Sequence, residues 1–171
     1  MMTQDPNNYW EQLERLEKLI RASEMKAGVI FSFHSLILGL FVDRIDYIKP
    51  LLTGNVVFIV LTSLWLLFVL ISIFYCFKCF IPQMELKYEP NVFFFMDAVK
   101  AFGSAEEFSK KLMEVCATEE ELYTQLSEQI HVESKIIDEK FKSVKKSLQC
   151  FGISFVIVML TLVVWIIQII I

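Results

Sequence analysis

At 171 residues, 56% of them hydrophobic, and with a mean hydropathy of +0.54, the chain is too apolar for a soluble globular domain, where apolar content lies nearer half. A net charge of −4 excludes the broad cationic face that nucleic acid demands. The expected fold class is an all-α membrane protein: three transmembrane helices, with a cytoplasmic helical domain continuous with the first and third spans.

From Tyr9 onward, Leu13, Leu16, Ile20, Ser23, Ala27, Ile30 and His34 recur at alternating steps of four and three. That is a heptad seam leading from charged into apolar sequence. One uninterrupted helix from Tyr9 to Val42 is expected, with 1–26 as a cytoplasmic N-terminal helix and 27–42 as the first span. The 16 residues of that span make about 24 Å of helix against a hydrocarbon core of about 30 Å. Thinning, snorkelling or oligomerisation absorbs such a mismatch. Charges of both signs precede the span and no small-residue cleavage site follows it, so a cleaved signal peptide is not expected.

On another face of this helix Gly28, Ser32, Ser35 and Gly39 recur at steps of four, three and four. Small residues so spaced let a second helix approach closely, within the subunit or between subunits. His34 lies mid-span, where ionisable groups are functional by default. Two readings stand: it lines a pore or senses pH, or its neutral imidazole hydrogen-bonds a Ser or Thr of another helix.

Residues 43–55 read as a short connection punctuated by Pro50 and Gly54, which makes the first two spans antiparallel neighbours. The second span is 56–77. Cys76 and Cys79 near its end have zinc-ligand spacing, but a tetrahedral site needs two more ligands that the sequence does not pair with them. No metal site is expected, and the thiols read as buried or lipid-facing.

Residues 78–149 are expected to form a cytoplasmic helical sensor domain. Pro82 and Pro90 imply a helix break. Ser104 and Glu107 make a capping box for a helix ending near Cys116, and Thr118 with Glu121 opens another. From there Leu122, Leu126, Ile130, Ile137, Phe141, Val144 and Leu148 keep helical spacing into the third span, 150–171. Such a helix is on the order of 75 Å long.

Lys and Arg flank the spans unevenly. Arg15, Lys18, Arg21 and Lys26 precede the first, Lys78 and Lys87 follow the second, and Lys135, Lys140, Lys142, Lys145 and Lys146 precede the third; only Arg44 and Lys49 lie in the connection. The N-terminus and central domain are therefore expected in the cytoplasm and the C-terminus on the far side. Residues 78–148 carry thirteen acidic against ten basic side chains, so an anionic ligand needs a local cationic pocket. One candidate is the lysine cluster from Lys140 to Lys146, which otherwise meets anionic headgroups. The other is Lys100 beside the helix start at Gly103 and Ser104, although Glu106 and Glu107 already face that positive end. With no nucleophile elbow, Walker loop, dinucleotide fingerprint or paired histidines, neither an enzyme nor a cofactor is expected.

Four stretches carry a family resemblance: Glu24, Lys26 and Ala27 at the mouth of the first span; Phe93, Phe94 and Phe95 after Pro90; the helix start Ser104-Ala-Glu-Glu-Phe; and Gln129 with Ile130, followed by Lys140. In their order and spacing, over nearly the whole chain, they resemble the transmembrane effectors of the Pycsar antiphage systems. The resemblance implies that a partner cyclase makes a cyclic pyrimidine mononucleotide, cyclic CMP or cyclic UMP, on phage infection. The effector, in the bacterial inner membrane with its C-terminus periplasmic, binds it and impairs the membrane, giving abortive infection. If the helices bind that ligand directly, Phe94 and Phe95 are the residues to stack on the base, and Lys26, Lys100 and Lys140 those to meet the phosphate. A homo-oligomer, at least a dimer, is expected, with the lipid bilayer as the other partner. The alternatives are a constitutive small channel or transporter subunit using His34, and a membrane-anchored interaction module with no nucleotide switch.

Overall fold

The computed structural model describes residues 5–81 and 90–170, the side chains of 51–53 and 169–170 excepted. Among the described residues the elements are six helices: α1 (Pro6–Asp43), α2 (Ile45–Gly54), α3 (Val56–Phe80), α4 (Phe95–Lys100), α5 (Ala105–Val115) and α6 (Glu119–Ile170). Three of them, α1, α3 and α6, are long and apolar enough to cross a membrane. The protein is thus an all-helical membrane protein.

The heptad seam becomes the inner stripe of α1. Leu16, Ser23, Ala27, Ile30 and His34 are buried, and Tyr9, Leu13 and Ile20 half-buried. No break interrupts the 38 residues of α1 or the 52 of α6. The helix break expected at Pro82 lies outside the described residues.

Two expectations are corrected. Residues 43–55 are not a turn: Ile45–Gly54 is helical with Pro50 inside it. Pro50 removes one intrahelical hydrogen bond, while Asp46 favours the positive end of the helix. Gly54 does end this helix, and the Asn55 side chain then caps α3, accepting from the Val57 amide at 2.9 Å. The second correction concerns the inner face of α6. Leu148 points outward at 55% exposure, while Gln129, Lys140, Ser143, Ser147 and Ser154 are buried alongside Leu126, Ile137, Val144 and Ile157.

The chain divides into two compact units. One takes its described residues from Met1–Ala22 and Pro82–Asp138, the other from Ser23–Ile81 and Glu139–Ile171. In the first, Leu16, Val92, Val115 and Leu126 form the interior, and α5 is tied at its start by a complete capping box. The Ser104 hydroxyl accepts from the Glu107 amide, and the Glu107 carboxylate accepts from the Ser104 amide.

In the second unit two apolar clusters set the register. Ala27 and Ile30 meet Cys76, Cys79 and Val144; further along, Ile37, Leu38 and Phe41 pack on Trp65, Val69 and Ile157. α3 therefore runs opposite to α1 and α6. The outward faces, Ile59, Val60, Leu67, Leu70 and Phe74 on α3 and Phe155, Val156 and Leu160 on α6, are exposed and apolar, as lipid requires.

Gly103 is left-handed at φ 66°, and a Cβ there would come within 2.2 Å of Glu107 Oε2, the oxygen that completes the capping box. Gly103→Ala is expected to destabilise the first unit by about 1–2 kcal/mol, more than the roughly 1 kcal/mol of Ser104→Ala. Amide hydrogen exchange across α5 checks the order of the two.

Candidate functional site

At the head of the second unit, α6 carries Lys140 inward. Its ammonium is 4% exposed and donates to Glu24 Oε1 of α1 at 2.8 Å and to the backbone carbonyl of Cys79. That carbonyl is one of the four that the end of α3 leaves without an intrahelical partner, so a cation satisfies it and meets the negative helix terminus. Beside it the Cys79 thiol lies 4.0 Å from the buried Ser23 hydroxyl.

One to two turns further in, Ser72 of α3 donates to the Ser147 carbonyl at 2.9 Å. Its oxygen is 3.0 Å from Ser147 Oγ, which is also 3.0 Å from Cys76 Sγ. Cys76 and Cys79 are thus buried thiols held among hydroxyls. Deeper along α1 stands His34, 1% exposed, with its ring edge-on to Phe151 at 5.1 Å and no hydrogen-bond partner for Nε2.

The small-residue face of α1 turns away from this interior. Ser32, Ser35 and Gly39 are exposed, and the two hydroxyls donate to carbonyls of their own helix, those of Gly28 and Phe31. A Cβ added at Gly28 would meet the Phe80 ring while one at Gly39 would meet open space, and an open groove of about 470 Å³ runs beside Gly28 and Ser32.

The first unit holds a different constellation. Asn91 ties the segment before α4 to α6: its side chain donates to the Gln125 carbonyl at 2.8 Å and accepts from the Phe93 amide, while its own amide donates to Asp97 Oδ2. Aromatic pairs flank it, Tyr9 stacked on Tyr123 and Trp10 edge-on to Phe93. On the same face of α6, Gln129 donates to Glu133 Oε1 at 3.0 Å, and two buried acceptors, Gln125 Oε1 and Glu133 Oε2, have no partner. Burial raises the Glu133 carboxyl above the ordinary carboxylate range, the Gln129 hydrogen bond opposes this, and the charge of Glu17 adds to it.

The residues expected to bind a ligand fall in both units. Phe94 and Phe95, ring centroids 5.3 Å apart, and the exposed Lys100 all belong to the short α4 region, Phe94 half-buried and Phe95 64% exposed. Lys26 is exposed, with its ammonium 5.5 Å from the centroid of the Phe141 ring. Lys140 already holds two partners. The free amides at Gly103 and Ser104 proposed for a phosphate include the one that Glu107 now occupies. What the residue patterns did not join are Glu24 to Lys140 and Ser72 to Ser147 in the second unit, and Asn91 to Gln125 in the first. The spacing of Lys140, Ser147 and Ser154 at steps of seven was the available signal.

Two outcomes are expected. Glu24→Ala leaves a buried ammonium with one neutral acceptor and should cost about 3 kcal/mol, whereas Lys140→Met leaves a carboxylate that water reaches and should cost about 1 kcal/mol; thermal denaturation in detergent gives the ranking. For Glu133, the folded state holds more protons than the unfolded one between the ordinary value, 4.5, and its raised value. Its contribution to stability therefore falls as pH rises through that window. Glu133→Gln should flatten the denaturation midpoint against pH there.

A family model described as Pycsar effector protein domain matches residues 8–167. No curated protein and no solved structure matches the chain.

Proposed function

Because the chain belongs to the Pycsar effector family, an antiphage defence family, we propose that it senses a cyclic pyrimidine mononucleotide, cyclic CMP or cyclic UMP, in the cytoplasm and responds by impairing the bacterial inner membrane. The family match over nearly the whole length carries this reading, and the three membrane-crossing helices supply its acting end. The protein acts without catalysis: a partner cyclase makes the signal, binding shifts a two-state bundle, and the infected cell stops before phage mature.

The first unit is the sensing end. The excess of Lys and Arg flanking the N-terminal and central segments favours its placement in the cytoplasm, with the C-terminus in the periplasm. α4 offers Phe94 and Phe95 for stacking on a base and Lys100, about 7 Å of helix rise further on, for the phosphate. The unpartnered acceptors at Gln125 and Glu133 fit a unit whose polar groups a ligand completes. The face of Gly28, Ser32, Ser35 and Gly39, exposed at the last three, suits contact between subunits of a homo-oligomer.

Calorimetric titration of the full-length protein with cyclic CMP and cyclic UMP tests the sensing step. One of them should bind, and at a hundredfold excess over Kd it should stabilise the fold by about 2.7 kcal/mol. Phe94→Ala should weaken that binding by about tenfold, in line with about 1–3 kcal/mol per stacked base. Making the nucleotide inside cells that carry a potential-sensitive dye, by co-expressing a cyclase that produces it, should depolarise them. Depolarisation indifferent to nucleotide would favour a constitutive channel, and no binding by the intact chain would end the reading.

A further inference from the structure

The interior of the second unit is rich in polar groups for half its depth and mainly apolar for the rest, where Ser154 donates to its own helix. Along α1, Glu24 to His34 is about 15 Å of helix rise, half of a hydrocarbon core of about 30 Å. Over that distance the inward groups are the Lys140 and Glu24 pair, Ser23, Ser72, Ser147 and finally His34, interleaved with Ala27, Ile30 and two thiols. Past His34 the interior closes on Trp65, Val69 and Ile157. Beyond this plug α1, α3 and α6, with Arg44 and Ile48, line a half-open apolar pocket of about 420 Å³ that has Thr62 and Thr161 in its wall.

Hydroxyls that only glue helices together find partners, as Ser72 and Ser147 do. His34 does not fit that role, because Nε2 is buried and unpaired where an unsatisfied polar atom is costly. It stands at the inner end of the polar column, on the side of the plug away from the cavity. Charged groups at one mouth, hydroxyls, a titratable ring, an apolar constriction and a void are the parts of a gated path. Side chains buried as closely as Ser72, Cys76 and Ser147 favour a proton over a hydrated ion. Oxygens 3.0 Å apart, with water admitted when the plug loosens, are enough for a proton.

We propose that the buried column from Lys140 and Glu24 to His34, together with the cavity beyond it, is a proton path closed at rest by Trp65, Val69 and Ile157. His34 accepts a proton at one ring nitrogen and releases one from the other, so the ring returns to neutrality after each transfer. Hydroxyls on one side and entering water on the other pass the proton on, with no co-reactant. The membrane is impaired by loss of its proton gradient, and larger solutes stay inside. This inference rests on the reading that the spans are the acting end of the effector.

Full-length protein reconstituted in liposomes with internal pyranine and carboxyfluorescein, under a valinomycin-clamped potassium gradient, provides the test. Val69→Ser should open the plug and raise proton flux about tenfold or more without any nucleotide, with carboxyfluorescein retained. His34→Phe in the same chain should return the flux to the wild-type level. Ile157→Ser serves in place of Val69→Ser if circular dichroism finds that variant unfolded. Folded plug variants as tight as wild type, flux that survives His34→Phe, or escape of carboxyfluorescein with the protons would each overturn the proposal. The broader reading fails separately: wild type that stays tight with cyclic CMP and cyclic UMP, while Val69→Ser leaks through His34, leaves the path standing and removes the nucleotide switch.

Discussion

Taking an ammonium out of water is costly unless it is paired and hydrogen-bonded, and Lys140 meets both conditions through groups on two other helices. Glu24 comes from α1, and the Cys79 carbonyl comes from the end of α3. Shifting α6 by a single residue would swing Lys140 about 100° around its axis and strand the charge. The Ser72, Cys76 and Ser147 group, two turns further in, makes the same demand on α3 and α6. Register among the three helices is thus fixed by these polar contacts together with the two apolar clusters that pack around them.

This arrangement follows from the solvent. In lipid, apolar side chains gain little by leaving the surroundings for the interior, so packing, small residues and hydrogen bonds hold the helices together. Many large apolar side chains of α3 and α6 accordingly face outward, and serines and thiols lie inside beside a few apolar residues such as Trp65 and Ile157. The first unit has the opposite distribution. Leu16, Val115 and Leu126 are inside, charged side chains such as Lys110 and Glu106 pair on the outside, and the buried polar exceptions are Asn91 and Gln129, the latter beside the half-buried Glu133 on one face of α6.

Features whose causes are local were legible in the residues. The seam of α1, the capping box at Ser104 and Glu107, the cap at Thr118 and the unbroken length of α6 all rest on neighbours within a turn or two. α2 was missed because Pro50 reads as punctuation, although a proline takes away only one hydrogen bond. The inner face of α6 was only partly legible: the apolar row from Leu122 to Leu148 includes Leu148, which is exposed, and does not include the buried Lys140 and Ser147. The contacts that decide the matter join residues 116 and 75 apart in sequence, and no local periodicity carries them. Of the expected ligand residues, the Phe94, Phe95 and Lys100 set comes from one short segment. The division of the remainder between two units depends on how the chain folds back.

The separation of Ser72 from Ser147 also bears on biosynthesis. A chain made from its N-terminus inserts the hairpin of α1 and α3 while α6 is still inside the ribosome. Glu24 and Ser72 must then wait in or at the bilayer before their partners on α6, Lys140 and Ser147, are in place. Until the last third of the message has been read, the nascent hairpin lacks the helix that completes its interior, so a prematurely terminated product cannot assemble a finished bundle.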